Sequence, residues 1–165
     1  GTSCPYTTAY NRRLGIVPTI AAGLSTIAFG GCTTIDDDSI DPIQIGDVRN
    51  FIESTDENPD IVLLIDPRSQ DDYTFAHLPG ARNIGLTDLR DDRTATKDSR
   101  IARHENIVVY GDNPGTAIAR AMAKKLMKLD YDGVLLYFGG MEEWTRAGLP
   151  IERGPQPDPW FTPDP

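Results

Sequence analysis

Cysteine is scarce in this chain. Of 165 residues two are Cys, Cys4 and Cys32, and none follows Cys32. That excludes a disulfide framework in the region downstream, and without His or acid ligands at metal spacing the two thiols define no zinc site. Positive charge is also in short supply. Sixteen Lys and Arg stand against 25 Asp and Glu, a formal net charge of −9, and no basic stripe of the kind that displaces phosphate counterions is visible. Nucleic acid is therefore excluded as a partner, and the acidic excess speaks only for solubility. Several motifs are missing as well. The glycines Gly111 and Gly115 are not followed by Gly-Lys-Ser/Thr, so there is no Walker loop, and no three-glycine dinucleotide fingerprint occurs. The run Asp36-Asp37-Asp38 lacks EF-hand spacing. The two histidines, His77 and His104, suggest no Ser-His-Asp arrangement, and His104 sits among charged residues as an exposed side chain would. No cofactor and no metal are expected.

The N-terminal part reads as a leader over residues 1–32. Arg12 and Arg13 precede an apolar, small-residue run at 14–29, followed by Gly30-Gly31-Cys32. Basic residues, a short apolar stretch and then small residues form a secretory pattern. The run of 16 residues falls short of the roughly 20 that a spanning helix needs, and Gly15, Pro18 and Gly23 weaken a helical reading further. The segment 28–32 resembles a bacterial lipoprotein signal, which implies lipidation at Cys32, attachment to the membrane by that anchor alone, and a periplasmic or cell-envelope location. Phe29 departs from the Leu usual in that signal. A different kind of signal, or a tail with no targeting role and a cytoplasmic domain, are the other readings.

Residues 33–41 form a polar, acidic linker. A domain is expected from 42 to 152. Residues 43–45 suggest a first short strand, and 46–54 a helix carrying Val48, Phe51 and Ile52 on one face. The run 61–65, Ile-Val-Leu-Leu-Ile, and the run Asn106–Tyr110 have the composition of strands buried on both faces of a parallel sheet. Between them come a short helix at 70–76, a Leu78-Pro79-Gly80 turn, a strand at 81–84, and a charged surface excursion at 87–103 with one helical turn. A helix at 116–129 presents Ile118, Ala121, Met122, Lys125, Leu126 and Leu129 near one face, the Lys125 stem lying along its rim. A strand at Val134–Tyr137 and a last short helix at 139–147 complete the pattern. Strands alternating with helices predict an α/β fold in three layers, a central parallel sheet of about five strands with flanking helices. The tail 153–165 holds five prolines in thirteen residues and is expected to be extended. Trp160 and Phe161 within it either pack back, stay mobile, or serve as a docking motif.

Two segments carry a resemblance. The first is Ile65-Asp66-Pro67-Arg68, then Tyr73, then Ala76-His77-Leu78-Pro79-Gly80-Ala81-Arg82-Asn83-Ile84. The second contains Phe138-Gly139-Gly140-Met141-Glu142-Glu143-Trp144 and Ala147-Gly148-Leu149-Pro150. Together they resemble the rhodanese family, whose patterns are D-x-R followed by GHIPGA-x-N, and GG-x-x-x-W followed by AGLP-x-E, with Ala76 where Gly is usual. Most of these residues suggest structural roles. Asp66 and Arg68, after a buried strand end, can pair with each other or bond to nearby loop backbone and so fix the strand-to-helix turn. Gly139 and Gly140 allow a tight strand-to-helix turn. Trp144 packs in the core with its N–H seeking a partner. His77 reads as a satisfied structural histidine, with an acid–base role as the alternative.

The resemblance also implies what is missing. Active members of the family open the loop after the Val-Val-Tyr strand with a cysteine. Its thiolate attacks the outer sulfur of a donor such as thiosulfate and keeps it as a persulfide, in a cradle of backbone N–H groups. Here the loop holds Gly111, Asp112, Asn113, Pro114, Gly115, Thr116 and Ala117, with Gly111 nearest the aligned position. Asp112 could in principle be a nucleophile but cannot form a persulfide. Capping of the loop by Asp112 or Asn113 is the alternative. Pro114 removes one donor and Asp112 adds negative charge, so poor thiosulfate affinity is expected. The resemblance therefore implies a non-catalytic binding or regulatory module with a vestigial anion loop, its partner an unidentified protein or a small anion. The alternative is sulfurtransferase activity completed by a partner's cysteine in trans.

Overall fold

The structure, a computed structural model, describes residues 35–89 and 97–156. Cys32 with its leader, the charged stretch 90–96 and the pair Trp160 and Phe161 lie outside the described residues. Five strands and five helices follow one another: β1 Asp41–Ile43, α1 Ile45–Ser54, β2 Val62–Asp66, α2 Gln70–Phe75, β3 Arg82–Asn83, α3 Ser99–Ala102, β4 Asn106–Tyr110, α4 Ala117–Lys128, β5 Val134–Tyr137 and α5 Gly140–Arg146. The strands form one sheet in the order β1-β5-β4-β2-β3, and every neighbouring pair is parallel.

The alternation of side chains along the central strands makes two cores. Leu63 and Ile65 of β2 and Ile107 and Val109 of β4 point to one face, where Ala119, Met122, Ala123 and Leu126 of α4 cover them together with Ile101 of α3. Val62, Leu64, Val108 and Tyr110 point to the other, beneath Val48 of α1, Tyr73 of α2 and Met141 and Trp144 of α5. The result is the expected three-layer α/β arrangement. Side chains such as Leu126 and Met122, both fully buried, each stabilise it by about 2 kcal/mol through removal of apolar surface from water.

Three expectations are corrected in detail. The first strand lies two residues earlier than 43–45, and Ile45 instead opens α1. β1 is an edge strand, so Pro42 can sit in it with its missing N–H turned away from β5. On α4 the inward residues are Ala119 and Ala123 rather than Ala121, which is exposed; small side chains let the helix approach the sheet. The acidic segment 35–41 is more than a solvated linker. Asp36 and Ser39 form a reciprocal cap around a turn of 3-10 helix, Asp37–Ser39. Asp37 pairs with Lys124 at 2.6 Å, and Ile40 is buried in the core beneath α4.

His104, expected on the surface, is half-buried, its Nδ1 3.3 Å from the Ile101 carbonyl. Burial pushes its pKa below 6.5, with the neighbouring Arg103 acting in the same direction. A histidine whose native pKa is depressed favours the folded state in its neutral form. Its contribution is complete above the unfolded pKa and is lost as pH falls from there through the lower native value. Lowering the pH from about 7.5 to about 5.5 should therefore reduce the urea midpoint of the wild type more than that of His104→Gln. Equal slopes for the two proteins would remove His104 as a source of pH dependence.

Candidate functional site

β2 feeds α2 on one face of the sheet and runs on to β3, whereas β4 feeds α4 on the opposite face and runs on to β5. The C-terminal ends of β2 and β4, side by side, are thus where connections diverge, the place where open α/β sheets form a crevice. Asp66 ends β2 and Tyr110 ends β4, and the Tyr110 hydroxyl donates to Asp66 Oδ2 at 2.8 Å.

Asp66 is completely buried and accepts from four donors: the Arg68 backbone N–H at 3.0 Å, Arg68 Nε at 2.9 Å, Arg68 Nη2 at 2.7 Å and the Tyr110 hydroxyl. Arg68 spans the site. Its Nη2 also donates to the Ala76 carbonyl at 2.7 Å, and Nη1 donates to Asp112 Oδ1 at 3.0 Å. Burial works against the Arg68 charge, but hydrogen bonds to Asp66 and its negative charge outweigh this and hold the pKa above the usual arginine value. Burial, followed by the Asp66 charge, pushes Tyr110 well above the ordinary phenol range, so the ring is a neutral donor. Its oxygen in turn accepts from the Leu78 N–H at 3.1 Å. Asn83 closes the back of the turn by donating to the carbonyls of Asp66 and Arg68, both at 2.9 Å.

His77 is buried beside this network. Its ring stacks on Tyr73 at 3.8 Å, Nδ1 lies 2.7 Å from the Tyr73 carbonyl, and Nε2 lies 3.6 Å from Glu152 Oε2. His77 and Glu152 also exchange backbone hydrogen bonds at 3.0 and 2.9 Å. The Glu152 contacts tie the end of the domain to the β2–β3 connection, and the Tyr73 contacts hold His77 against α2. Tyr73 has a pKa pushed up to about 12 by burial, and its hydroxyl donates to the Ala81 carbonyl at 2.7 Å. Trp144 fills the core and donates from Nε1 to the Pro150 carbonyl at 2.7 Å.

The loop after β4 is folded upon itself. The Asn113 N–H donates to Thr116 Oγ1 at 3.1 Å, the Gly115 N–H to Asn113 Oδ1 at 2.9 Å, and the Thr116 N–H to the Asn113 carbonyl at 3.0 Å. Three backbone donors that could face an anion are thus engaged within the loop. Thr116, at the cap position before Ala117, gives no side-chain bond to its helix, because its oxygen turns back to Asn113. Asn113 caps the turn. Asp112, also weighed as a cap, instead directs its carboxylate to Arg68. A Cβ on Gly111 would stand 2.9 Å from both Cβ and Cγ2 of Thr116 and 3.3 Å from Cβ of Ala119. Any side chain at Gly111 would therefore press against Thr116.

The helix α5 fixes the loop from the other side. The Met141 N–H donates to the Gly111 carbonyl at 2.9 Å and the Glu142 N–H to the Asp112 carbonyl at 2.8 Å. So close an approach requires Gly140, whose φ is +59° and whose Cβ would meet the Gly111 oxygen at 2.4 Å. Gly139, in ordinary right-handed geometry, lies under the Glu143 side chain. Asp66, Arg68, Asp112 and the loop are therefore brought together; His77 and Trp144 support the site's walls and stand outside it. Tyr110 enters the network without having been singled out in the sequence, where the one hint is a phenol ending an otherwise aliphatic strand. Asn83 and Glu152 stand in the sequence as positions of the two family patterns, with no role given to them.

The Rhodanese-like domain family matches residues 46–147. Among curated proteins, the HTH-type transcriptional regulator Rv0324 of Mycobacterium tuberculosis is 33% identical over 97 residues, covering 56% of this chain and 38% of the regulator. The thiosulfate sulfurtransferase YnjE of Escherichia coli is 28% identical over 103 residues, 56% of this chain and 23% of that protein. The chain thus spans well under half the length of these curated relatives. Among solved structures, a thiosulfate sulfurtransferase from Pseudomonas aeruginosa superposes with a TM-score of 0.54 at 26% identity, over 70% of this chain and 20% of that one. The BH2092 protein of Bacillus halodurans shares the fold with a TM-score of 0.56 at 22% identity, over 68% and 77% of the two chains. With its parallel sheet, its Asp66–Arg68 turn and its glycine-opened last helix, this chain belongs to the rhodanese-like domain family.

Proposed function

We propose that this domain is a non-catalytic member of the family, a module that binds a protein partner and regulates it instead of turning over a sulfur donor. The observation that carries the proposal is the loop 110–117. It contains no thiol, Thr116 fills the space beside Gly111, and the loop's own oxygens take the Asn113, Gly115 and Thr116 N–H groups. Arg68, the nearby cation, is already bound to two carboxylates. An incoming thiosulfate dianion would have to displace these bonds and approach the negative charge of Asp112. The similarity to a protein named as a transcriptional regulator supports a regulatory use of the fold.

The similarity to two proteins named thiosulfate sulfurtransferases favours the second reading, in which a partner supplies the cysteine. Cyanide-dependent sulfur transfer from thiosulfate separates the two. The wild-type chain should produce thiocyanate at the uncatalysed rate. Gly111→Cys should also be inactive, because the new side chain collides with Thr116. Adding Thr116→Gly clears that space and frees the Asn113 N–H, and this double variant should take up one sulfur atom, visible by intact mass. Wild-type turnover would sink the proposal. Turnover appearing only with an added cysteine-bearing partner would establish the second reading.

A further inference from the structure

Beside the open ends of β1 and β5 lies a cleft of about 380 Å³, lined by Ile43, Pro114, Tyr137, Phe138, Glu142 and Glu143 among others. It is within the roughly 300–1,000 Å³ range of small-molecule sites. Tyr137 is 1% exposed, and its hydroxyl is the buried side-chain polar atom among the described residues for which no partner stands at hydrogen-bonding distance. A phenol in that state is costly, since it has given up water and received nothing in return. Burial pushes its pKa up, and the Glu143 carboxylate beside it, by hydrogen bonding and by its charge, adds to the effect without reaching the geometry of a well-formed hydrogen bond. The oxygen is therefore protonated, with lone pairs free to accept.

Two carboxylates, Glu142 and Glu143, and one cation, Arg146, line the cleft. Arg146 is paired with Glu142 one turn away on α5, and no cation among the described residues pairs with Glu143. The Phe138 ring is 38% exposed, offering a face over which a cation can rest. Ile43 and Pro114 supply apolar walls. We infer that this cleft binds a small amphipathic ammonium, its apolar body against Ile43, Pro114 and Phe138 and its cation donating to Tyr137 and Glu143. An anion of the same shape would meet two carboxylates and a chain of net charge −9. From the loop 110–117 the site takes only the apolar wall of Pro114, and none of the loop's N–H groups.

The probe is phenethylammonium, titrated into the full chain and followed by ¹H–¹⁵N NMR, with phenylpropionate as the matched anion. Phenethylammonium should shift the amides of Phe138, Gly139 and Gly140 saturably, and phenylpropionate should leave them unmoved. Tyr137→Phe should weaken binding roughly fivefold while its Tm stays level or rises, because an unsatisfied hydroxyl has been removed. Glu143→Gln, on an exposed position that leaves the fold intact, should weaken it roughly tenfold. Equal binding of the anion, unchanged affinity in both variants, or shifts confined to other parts of the sheet would each overturn the proposal. None of these results bears on sulfur transfer, so the two proposals fail separately.

Discussion

Gly140→Ala should lower the stability of the domain by about 3 kcal/mol, the sum of left-handed backbone strain and forced overpacking. Its Cβ would stand 2.4 Å from the Gly111 carbonyl oxygen and 2.8 Å from the Asp112 carbonyl carbon and oxygen. These are main-chain atoms held by the Met141 and Glu142 amides, so they cannot move aside without breaking the contact between α5 and the β4 loop. Gly148 provides the control. Its φ is +69°, yet a Cβ there meets nothing within 4 Å, so Gly148→Ala should show the backbone strain alone, about 1 kcal/mol. Urea denaturation of the two variants measures the difference. Equal losses would mean that α5 does not press on the loop as closely as the geometry states.

Asp66→Ala should cost about 3–5 kcal/mol, the penalty for leaving a buried charge without its main partner. The Arg68 side chain is 7% exposed, and its remaining carboxylate, Asp112, is half in solvent. The Tyr110 proton would lose its acceptor as well. The pair is not thereby a large net source of stability. Replacing both partners with apolar residues, Asp66→Leu with Arg68→Met, should be less damaging than the sum of the single changes, the coupling amounting to about 1–3 kcal/mol. Denaturation midpoints of the two single variants and the double variant test this. Additive losses would show that Asp66 and Arg68 act separately.

Much of the fold is legible in the sequence because its central strands are buried on both sides. The runs 61–65, Asn106–Tyr110 and Val134–Tyr137 have no polar face to disguise them. β1 is harder to place. An edge strand three residues long needs no apolar run, and Asp41 and Pro42 are exposed, so the more hydrophobic Ile43 and Ile45 drew the boundary toward α1. The inward face of α4 was rotated because its close contacts use alanines, which hydropathy weights less than Ile118. At the site, the Asp66–Arg68 pair is two residues long in sequence and readable there. The bond between Arg68 and Asp112 joins residues 44 apart, and the obstruction of Gly111 by Thr116 depends on how one loop curls. Neither follows from composition or spacing, which is why the sequence leaves the cap of this loop to either Asp112 or Asn113.

The pairing of the first strand with the last also sets an order of events in time. Among the described residues β1 pairs with β5 alone, Asp41 beside Leu135 and Ile43 beside Tyr137. A chain emerging from the ribosome can lay β2 against β3 and then β4 early, but its opening strand has no neighbour until nearly all of the domain has been made. Such long-range closure is slow to form and late to finish. Until then β5's place beside β4 is empty, and Val108 and Val109 lie along an unprotected strand edge. During synthesis that edge stays uncovered until Val134–Tyr137 has been made.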